Sequence, residues 1–212
     1  MLKHYKHHLR DKVYVGSLVS AWIFLFASLV INFYAGTYAT AVASNPVTDI
    51  ILDNIPVFDV DGVFVWGAIV FVACIFLVGL SNPHRIPFTL KTISLFVVVR
   101  SIFISLTHIA PFPSQIPLDP FSWTSNFIFG ADLFFSGHTG LPFLIALIFW
   151  EHKRLRISFI ILSVILGTVS LMGHLHYSID VFAAYFITYG IYELAAQLFK
   201  KEKTLGEKPA QL

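Results

Sequence analysis

HLHYSIDVFAAYFITYGIYELAAQLF, residues 174–199, sets a histidine and a carboxylate at the head of an apolar run. From Val181 to Phe199 only Glu193 is charged. A run of this length can cross a bilayer as a helix, which takes about 20 residues. Burying His176 and Asp180 at the boundary of such a run is costly, so chemistry is the first explanation to test. The same arrangement occurs upstream, where Ser136-Gly137-His138-Thr139 opens a run that continues to Trp150.

Working outward, the chain reads as an all-α membrane protein with six transmembrane helices in a bundle. The expected spans are 14–38, 62–80, 88–107, 138–150, 157–173 and 179–199. Of its 212 residues 57% are hydrophobic and 12% charged, about half the charged share of a soluble domain. The domain reading is a tail over 1–13, a catalytic six-helix domain over 14–199 and a second tail over 200–212. The apolar part of the first run, about Val13 to Tyr38, exceeds the 7–15 residues of a signal-peptide core. It reads as a retained span. The fourth run is short if it starts at His138 and reaches spanning length only if Phe134 to Ser136 belong to it. The Ser-Gly-His segment then lies at the membrane surface.

Charge sets the expected orientation, because cytoplasmic segments collect Lys and Arg. Lys3, Lys6, Arg10 and Lys12 precede the first span, and Arg85 and Lys91 flank the second turn. Lys153, Arg154 and Arg156 lie between spans four and five, and Lys200, Lys201, Lys203 and Lys208 follow span six. The intervening connections carry Asp49, Asp53, Asp59 and Asp61, then Asp119 and Asp132. Both termini are therefore expected in the cytoplasm, with His138, His176 and Asp180 at the outer or lumenal face. The loop 108–135, with Pro111, Pro113, Pro117, Pro120 and the aromatic Phe112, Phe121, Trp123 and Phe127, suits an interfacial lid or an ordinary connection. Cys74 is the one cysteine; it excludes an intrachain disulfide and a cysteine metal site, and reads as a small buried side chain. No nucleic-acid motif and no basic face point to a nucleic-acid partner.

His176 and Asp180, spaced i, i+4, share a face if they lie on one helix. The carboxylate can then fix the imidazole tautomer and raise the basicity of the other ring nitrogen. A buried pair that only satisfies itself is the alternative. His138 can protonate a leaving oxygen as a general acid, or simply cap its helix. Gly137 allows close backbone approach. The Ser136 and Thr139 hydroxyls and a helix N-terminus can donate to phosphate oxygens. Arg100 lies inside span three, where a lone guanidinium needs a partner or a wet cavity. It suits phosphate, or it pairs with Asp180, Asp132 or a backbone carbonyl.

The stretches 130–139 (GADLFFSGHT) and 174–181 (HLHYSIDV) resemble the second and third motifs of the type 2 phosphatidic acid phosphatase (PAP2) superfamily. They are most similar to its sphingomyelin synthase branch. Arg100 through Thr107 to Pro111-Phe112-Pro113 resembles that branch's Arg-…-Thr-…-Pro-x-Pro segment. The resemblance implies a six-helix core and a lumenal or exterior triad of His138, His176 and Asp180. It implies that His176 attacks phosphorus, Asp180 supports it and His138 protonates departing diacylglycerol. The phospho-headgroup then passes from a phospho-histidine to a ceramide-type alcohol, or to water in a phosphatase or phospholipase C-like relative. Arg100, Asp132, Ser136, Gly137, Thr139 and Tyr177 form the implied substrate-binding set. Tyr177, Trp123 and Phe112 are candidates to face a quaternary ammonium. The superfamily's Lys-…-Arg-Pro motif is missing, and Val169 and Ser170 occupy its Ser-Arg positions. Those basic residues hold a phosphate monoester, so their replacement favours a phosphodiester donor.

No cofactor and no metal are expected. The partners are a membrane phospholipid donor and a lipid alcohol acceptor. A zinc site on His138, His176 and Asp180 is one rival reading. A transporter or scaffold with structural intramembrane charges is another. The gathering of polar residues at one face, rather than through the full depth, favours headgroup chemistry.

Overall fold

The computed structural model describes residues 11–116 and 132–207. The expectations resting on Lys3, Lys6, Arg10, Asp119, Trp123, Lys208 and the rest of 117–131 lie outside the described residues. So does the lid reading of that loop.

Seven α-helices and no strands make up the described residues. They are α1 Lys12–Ala41, α2 Asp61–Ser81, α3 Ile86–Leu106, α4 Gly137–Ile148, α5 Lys153–Met172, α6 Ser178–Leu198 and α7 Lys200–Glu207. Five segments are long and apolar enough to cross a membrane: Lys12–Ala41, Asp61–Ser81, Pro83–Leu106, Lys153–Met172 and Ser178–Leu198. Large apolar side chains such as Phe26, Phe76 and Phe186 are more than 60% exposed on them. In water such outward faces would be an aggregation liability; in lipid they are solvated. The five helices mark an integral membrane protein.

α1 shows how these helices pack. Its buried positions are Tyr14, Ser17, Ala21, Ser28, Ala35, Gly36 and Ala39, small residues apart from Tyr14. Small side chains let helix backbones approach closely in lipid, where apolar burial drives little association. α1 runs parallel to α3. The Tyr14 hydroxyl donates to the Pro83 carbonyl at 2.7 Å near one end. Near the other, the Ser44 N–H donates to the His108 carbonyl at 2.8 Å.

α4 lies close to the expected fourth run, 138–150. It has 12 residues and starts at Gly137, so Phe134–Ser136 stay outside it. At about 1.5 Å per residue it is about 18 Å long, short of the roughly 30 Å hydrocarbon core. Six spanning helices are therefore not found among the described residues. The physical reason lies in its neighbours. α4 begins beside the Arg100 guanidinium, inside α3, and ends where the Arg85 Nη1 donates to the Ile148 carbonyl at 3.1 Å. It only bridges those two levels. It is also the core of the bundle, with Leu144 to Ile148 all nearly inaccessible. Around it pack Phe71, Phe88, Phe96, Phe135, Phe149 and Phe159. The Phe96 and Phe135 rings meet edge-on at 5.2 Å between centroids, a favoured aromatic geometry.

The segment after Phe199, read from sequence as a tail, forms α7. It folds back because Lys91 in α3 and Glu202 pair at 2.7 Å, both side chains buried. Gly206 lies against Arg85, where an added Cβ would come within 3.2 Å of its Cγ. Burial pushes the Glu202 carboxyl up, but hydrogen bonds, chiefly from Lys91, outweigh it and leave the group below its ordinary value. The ends of the bundle thus differ in charge. Lys12, Arg85, Lys91, Lys153, Arg154, Arg156, Lys200, Lys201 and Lys203 gather at one end. Asp49, Asp53, Asp132 and Asp180 gather at the other with His138, His174 and His176.

Candidate active site

The second end is built from loops that close on the end of α5 and the start of α6. The Phe58 N–H donates to the Met172 carbonyl at 2.8 Å, and the Ile116 N–H to the Gly173 carbonyl at 3.2 Å. Tyr177 pins two connections at once. Its hydroxyl donates to the Ala110 carbonyl at 2.9 Å and accepts from the Val47 N–H at 3.2 Å. Burial raises the Tyr177 phenol above its usual value, with the carboxylates of Asp180, Asp49 and Asp53 adding to it against the Val47 hydrogen bond. With 2% of its surface accessible and its oxygen engaged twice, Tyr177 positions the backbone of its neighbour His176.

His176 lies just before α6, whose first residue is Ser178. The histidine thus precedes the helix and the aspartate sits in its first turn, as the expected span 179–199 has it, and the condition for a shared helical face is not met. Capping is the reason. Asp180 Oδ2 accepts the Tyr177 N–H at 2.9 Å, using an orphan donor of the helix start. The same oxygen lies 3.4 Å from His176 Nδ1. One carboxylate thus both starts the helix and faces the imidazole. The Nδ1 contact is long for a hydrogen bond, as catalytic contacts without substrate often are. Among the described residues no hydrogen bond engages His176 Nε2, and the residue is buried, 6% exposed.

The other histidine motif is joined to this one through the backbone. The Ser136 N–H donates to the Asp180 carbonyl at 3.0 Å. Ser136 and Thr139 are fully buried. The Thr139 hydroxyl donates to Ser136 Oγ at 3.2 Å, and the Thr139 carbonyl accepts from Ser163 Oγ at 2.7 Å. These contacts commit both hydroxyls to holding the motif. His138 itself is half-buried and its ring stacks on Phe64 with centroids 4.0 Å apart. It lies within electrostatic range of both His176 and Arg100. Pro142, one turn on, has no N–H to give the His138 carbonyl.

Arg100 takes the partners that its position demands. Its Nε donates to the Phe135 carbonyl at 2.8 Å and its Nη1 pairs with Asp132 Oδ2 at 3.1 Å. Nη2 donates to the Asp132 carbonyl. A Cβ at Gly137 would stand 3.5 Å from Arg100 Nε, so the guanidinium borders the backbone of the Ser-Gly-His motif. Arg100 and Asp132 thus fix the segment 132–135 that delivers His138. Glu193 is exposed, away from this cluster. Among the described residues no group of three or more His, Cys, Asp or Glu is placed to hold a metal.

Two supports were not singled out from sequence. Asp49, 7% exposed, accepts the Ser178 N–H at 2.7 Å and the N–H groups of Ile51 at 2.9 Å and Leu52 at 3.2 Å. Burial pushes its carboxyl up, yet these hydrogen bonds hold it below the usual aspartate range. His174, in a left-handed conformation at φ 53°, places Nδ1 2.6 Å from Ser114 Oγ. Asp49 carried only the general signal of an acidic outer loop, because its partner is 129 residues away.

Residues 130–197 match a family model described as PAP2 superfamily C-terminal. The matched segment contains both histidine motifs and supports the PAP2 superfamily. No curated protein matches the chain, and no solved structure matches it.

Proposed function

We propose that this chain is a membrane phospholipid headgroup transferase of the sphingomyelin synthase kind, working through a phospho-histidine. The observation that carries the reading is the Ser136 N–H bond to the Asp180 carbonyl at 3.0 Å. It seats two histidine motifs, distant in sequence, on one polar floor. His176 Nε2 attacks phosphorus and the bond from phosphorus to the diacylglycerol oxygen breaks. Protonated His138 gives its proton to that oxygen. Asp180 accepts the Nδ1–H of His176 and offsets the positive charge that develops on the ring. In the second half-reaction neutral His138 takes the proton of an acceptor hydroxyl. That oxygen attacks phosphorus and the phosphorus–nitrogen bond breaks.

The state of Arg100 favours a diester donor. Part of its charge is already met by Asp132, and a diester phosphate carries one negative charge. We further propose that α4 with its flanking turns makes the sixth crossing. The basic end then faces the cytoplasm, and the site opens to the outer or lumenal face.

The test is incubation of purified protein with headgroup-labelled phosphatidylcholine or phosphatidylethanolamine, with and without ceramide, followed by separation of the lipids. Diacylglycerol release is expected, abolished in His176→Ala and sharply reduced in His138→Ala. Undiminished turnover in both variants refutes the assigned roles. Release of a free phospho-headgroup that ceramide leaves unchanged makes water the acceptor.

A further inference from the structure

We infer that the basic end carries a second site, for the phosphate-bearing headgroup of an anionic phospholipid. A cavity of about 180 Å³ opens there, lined by Arg85, Phe88, Trp150, Glu151, Tyr192 and Lys203 among others. It is smaller than the roughly 300–1,000 Å³ of drug-sized ligand sites, so it admits a headgroup and leaves the acyl chains in the bilayer. Six elements meet in it: the turn before α3, α3 itself, α4, the α4–α5 turn, α6 and α7.

The cations of this cavity are differently committed. Arg85 Nη1 donates to the Ile148 carbonyl at 3.1 Å and Nη2 pairs with Glu151 at 2.9 Å. Its Nε–H is buried without a hydrogen-bond partner, which is costly unless a ligand supplies one. Lys203 makes no ion pair among the described residues; its ammonium sits 5.6 Å from the Tyr192 ring centroid. Arg156, 4.6 Å from the Trp150 ring centroid, adds positive charge at the rim. Tyr and Trp beside basic residues fit the depth of lipid headgroups, and basic pockets between membrane helices bind anionic headgroups. Among the described residues Glu151 is the one anion lining the cavity. Its side chain is 70% exposed, so it can yield Arg85 to a phosphate at little cost.

The inference rests on the membrane reading and not on chemistry at the other end. The experiment is native mass spectrometry of the detergent-solubilised full chain, titrated with phosphatidylglycerol or phosphatidylcholine. Retention of one phosphatidylglycerol is expected, with phosphatidylcholine at least fivefold weaker. Lys203→Gln should weaken retention about fivefold, Lys203→Arg should restore it, and Glu151→Gln should strengthen it. His176→Ala should leave it unchanged, which separates this site from the candidate active site. Arg85→Gln should weaken it further; Lys203→Gln keeps the test decisive if that variant misfolds. Competition by glycerol 3-phosphate as effective as by lipid assigns the site to free phosphate, and its failure assigns it to the lipid; both uphold an anion site. Equal retention by wild type, Lys203→Gln and Glu151→Gln overturns the proposal.

Discussion

Replacing Asp49 by alanine should destabilise the protein and displace His176 together. The carboxylate holds three backbone N–H groups. Ile51 is half-buried and can turn its N–H to water, so its loss counts for little. The bond to Ser178, at 2.7 Å the shortest of the three, involves an ionised acceptor and contributes about 1.5–3 kcal/mol. Losing the capped turn at Leu52 adds about 1 kcal/mol. The expected cost of Asp49→Ala is thus about 2.5–4 kcal/mol. Asp49→Asn keeps an acceptor without the charge, and charge-assisted bonds are roughly twice as strong as neutral ones, so it should cost about half as much. The lowered carboxyl adds a pH signature. A folded-state value below the unfolded one, about 3.9, means stability fully present above that pH. It is lost as pH falls through the folded-state value. Equilibrium unfolding in mixed micelles, from neutral pH to about pH 3, measures both effects. The wild type should lose its Asp49 contribution over the acid limb, and Asp49→Asn should lack that component. Because Ser178 is two residues from His176, diacylglycerol release should fall as well. An Asp49→Ala protein within about 0.5 kcal/mol of wild type would refute the claim that this loop seats the helix.

The Lys91–Glu202 pair should behave as a buried ion pair. Lys91→Met should cost about 3–5 kcal/mol in micelle unfolding, while Lys91→Met with Glu202→Leu should recover most of it. Glu202 also lies below its ordinary value, so its contribution should vanish as pH falls through that lowered value. An unchanged acid limb in Glu202→Gln would count against the pairing. Gly140→Ala would bring a Cβ within 2.8 Å of Phe96 and of Thr188 Oγ1. Overpacking of about 1–3 kcal/mol is expected, with a drop in turnover larger than in a surface variant of equal stability. Arg100→Ala leaves the Asp132 carboxylate and two carbonyls without their donor. It should destabilise by about 3 kcal/mol or more, whereas Asp132→Asn, which keeps an acceptor, should cost less in the same unfolding assay.

The long apolar runs, the segregation of Lys and Arg from the aspartates, and both histidine motifs were legible without coordinates. These are local properties: a run's length and a motif's spacing are read along the chain. Two local readings left a choice open that only a tertiary contact decided. The i, i+4 spacing of His176 and Asp180 left open whether one helix holds both; Asp180 accepts the Tyr177 N–H and starts the helix after the histidine. The fourth run was legible as short from His138, but not that Arg100 takes the Asp132 and Phe135 carbonyls beside the segment left out of α4. The tail after Phe199 became a helix for a similar reason, since Lys91 had a buried charge to meet.

By itself the amino-acid order determined that this chain seeks lipid, since so many apolar side chains in such long runs have no other solvent. It also determined which imidazoles and carboxylates were available for chemistry. Only the tertiary structure decided which of them meet. The Asp49–Ser178, Arg100–Asp132 and Ser136–Asp180 contacts join groups separated by 129, 32 and 44 residues. Contacts at such distance have no local periodicity to announce them. They form because a buried polar group in a membrane protein must find its partner wherever the packed helices bring one.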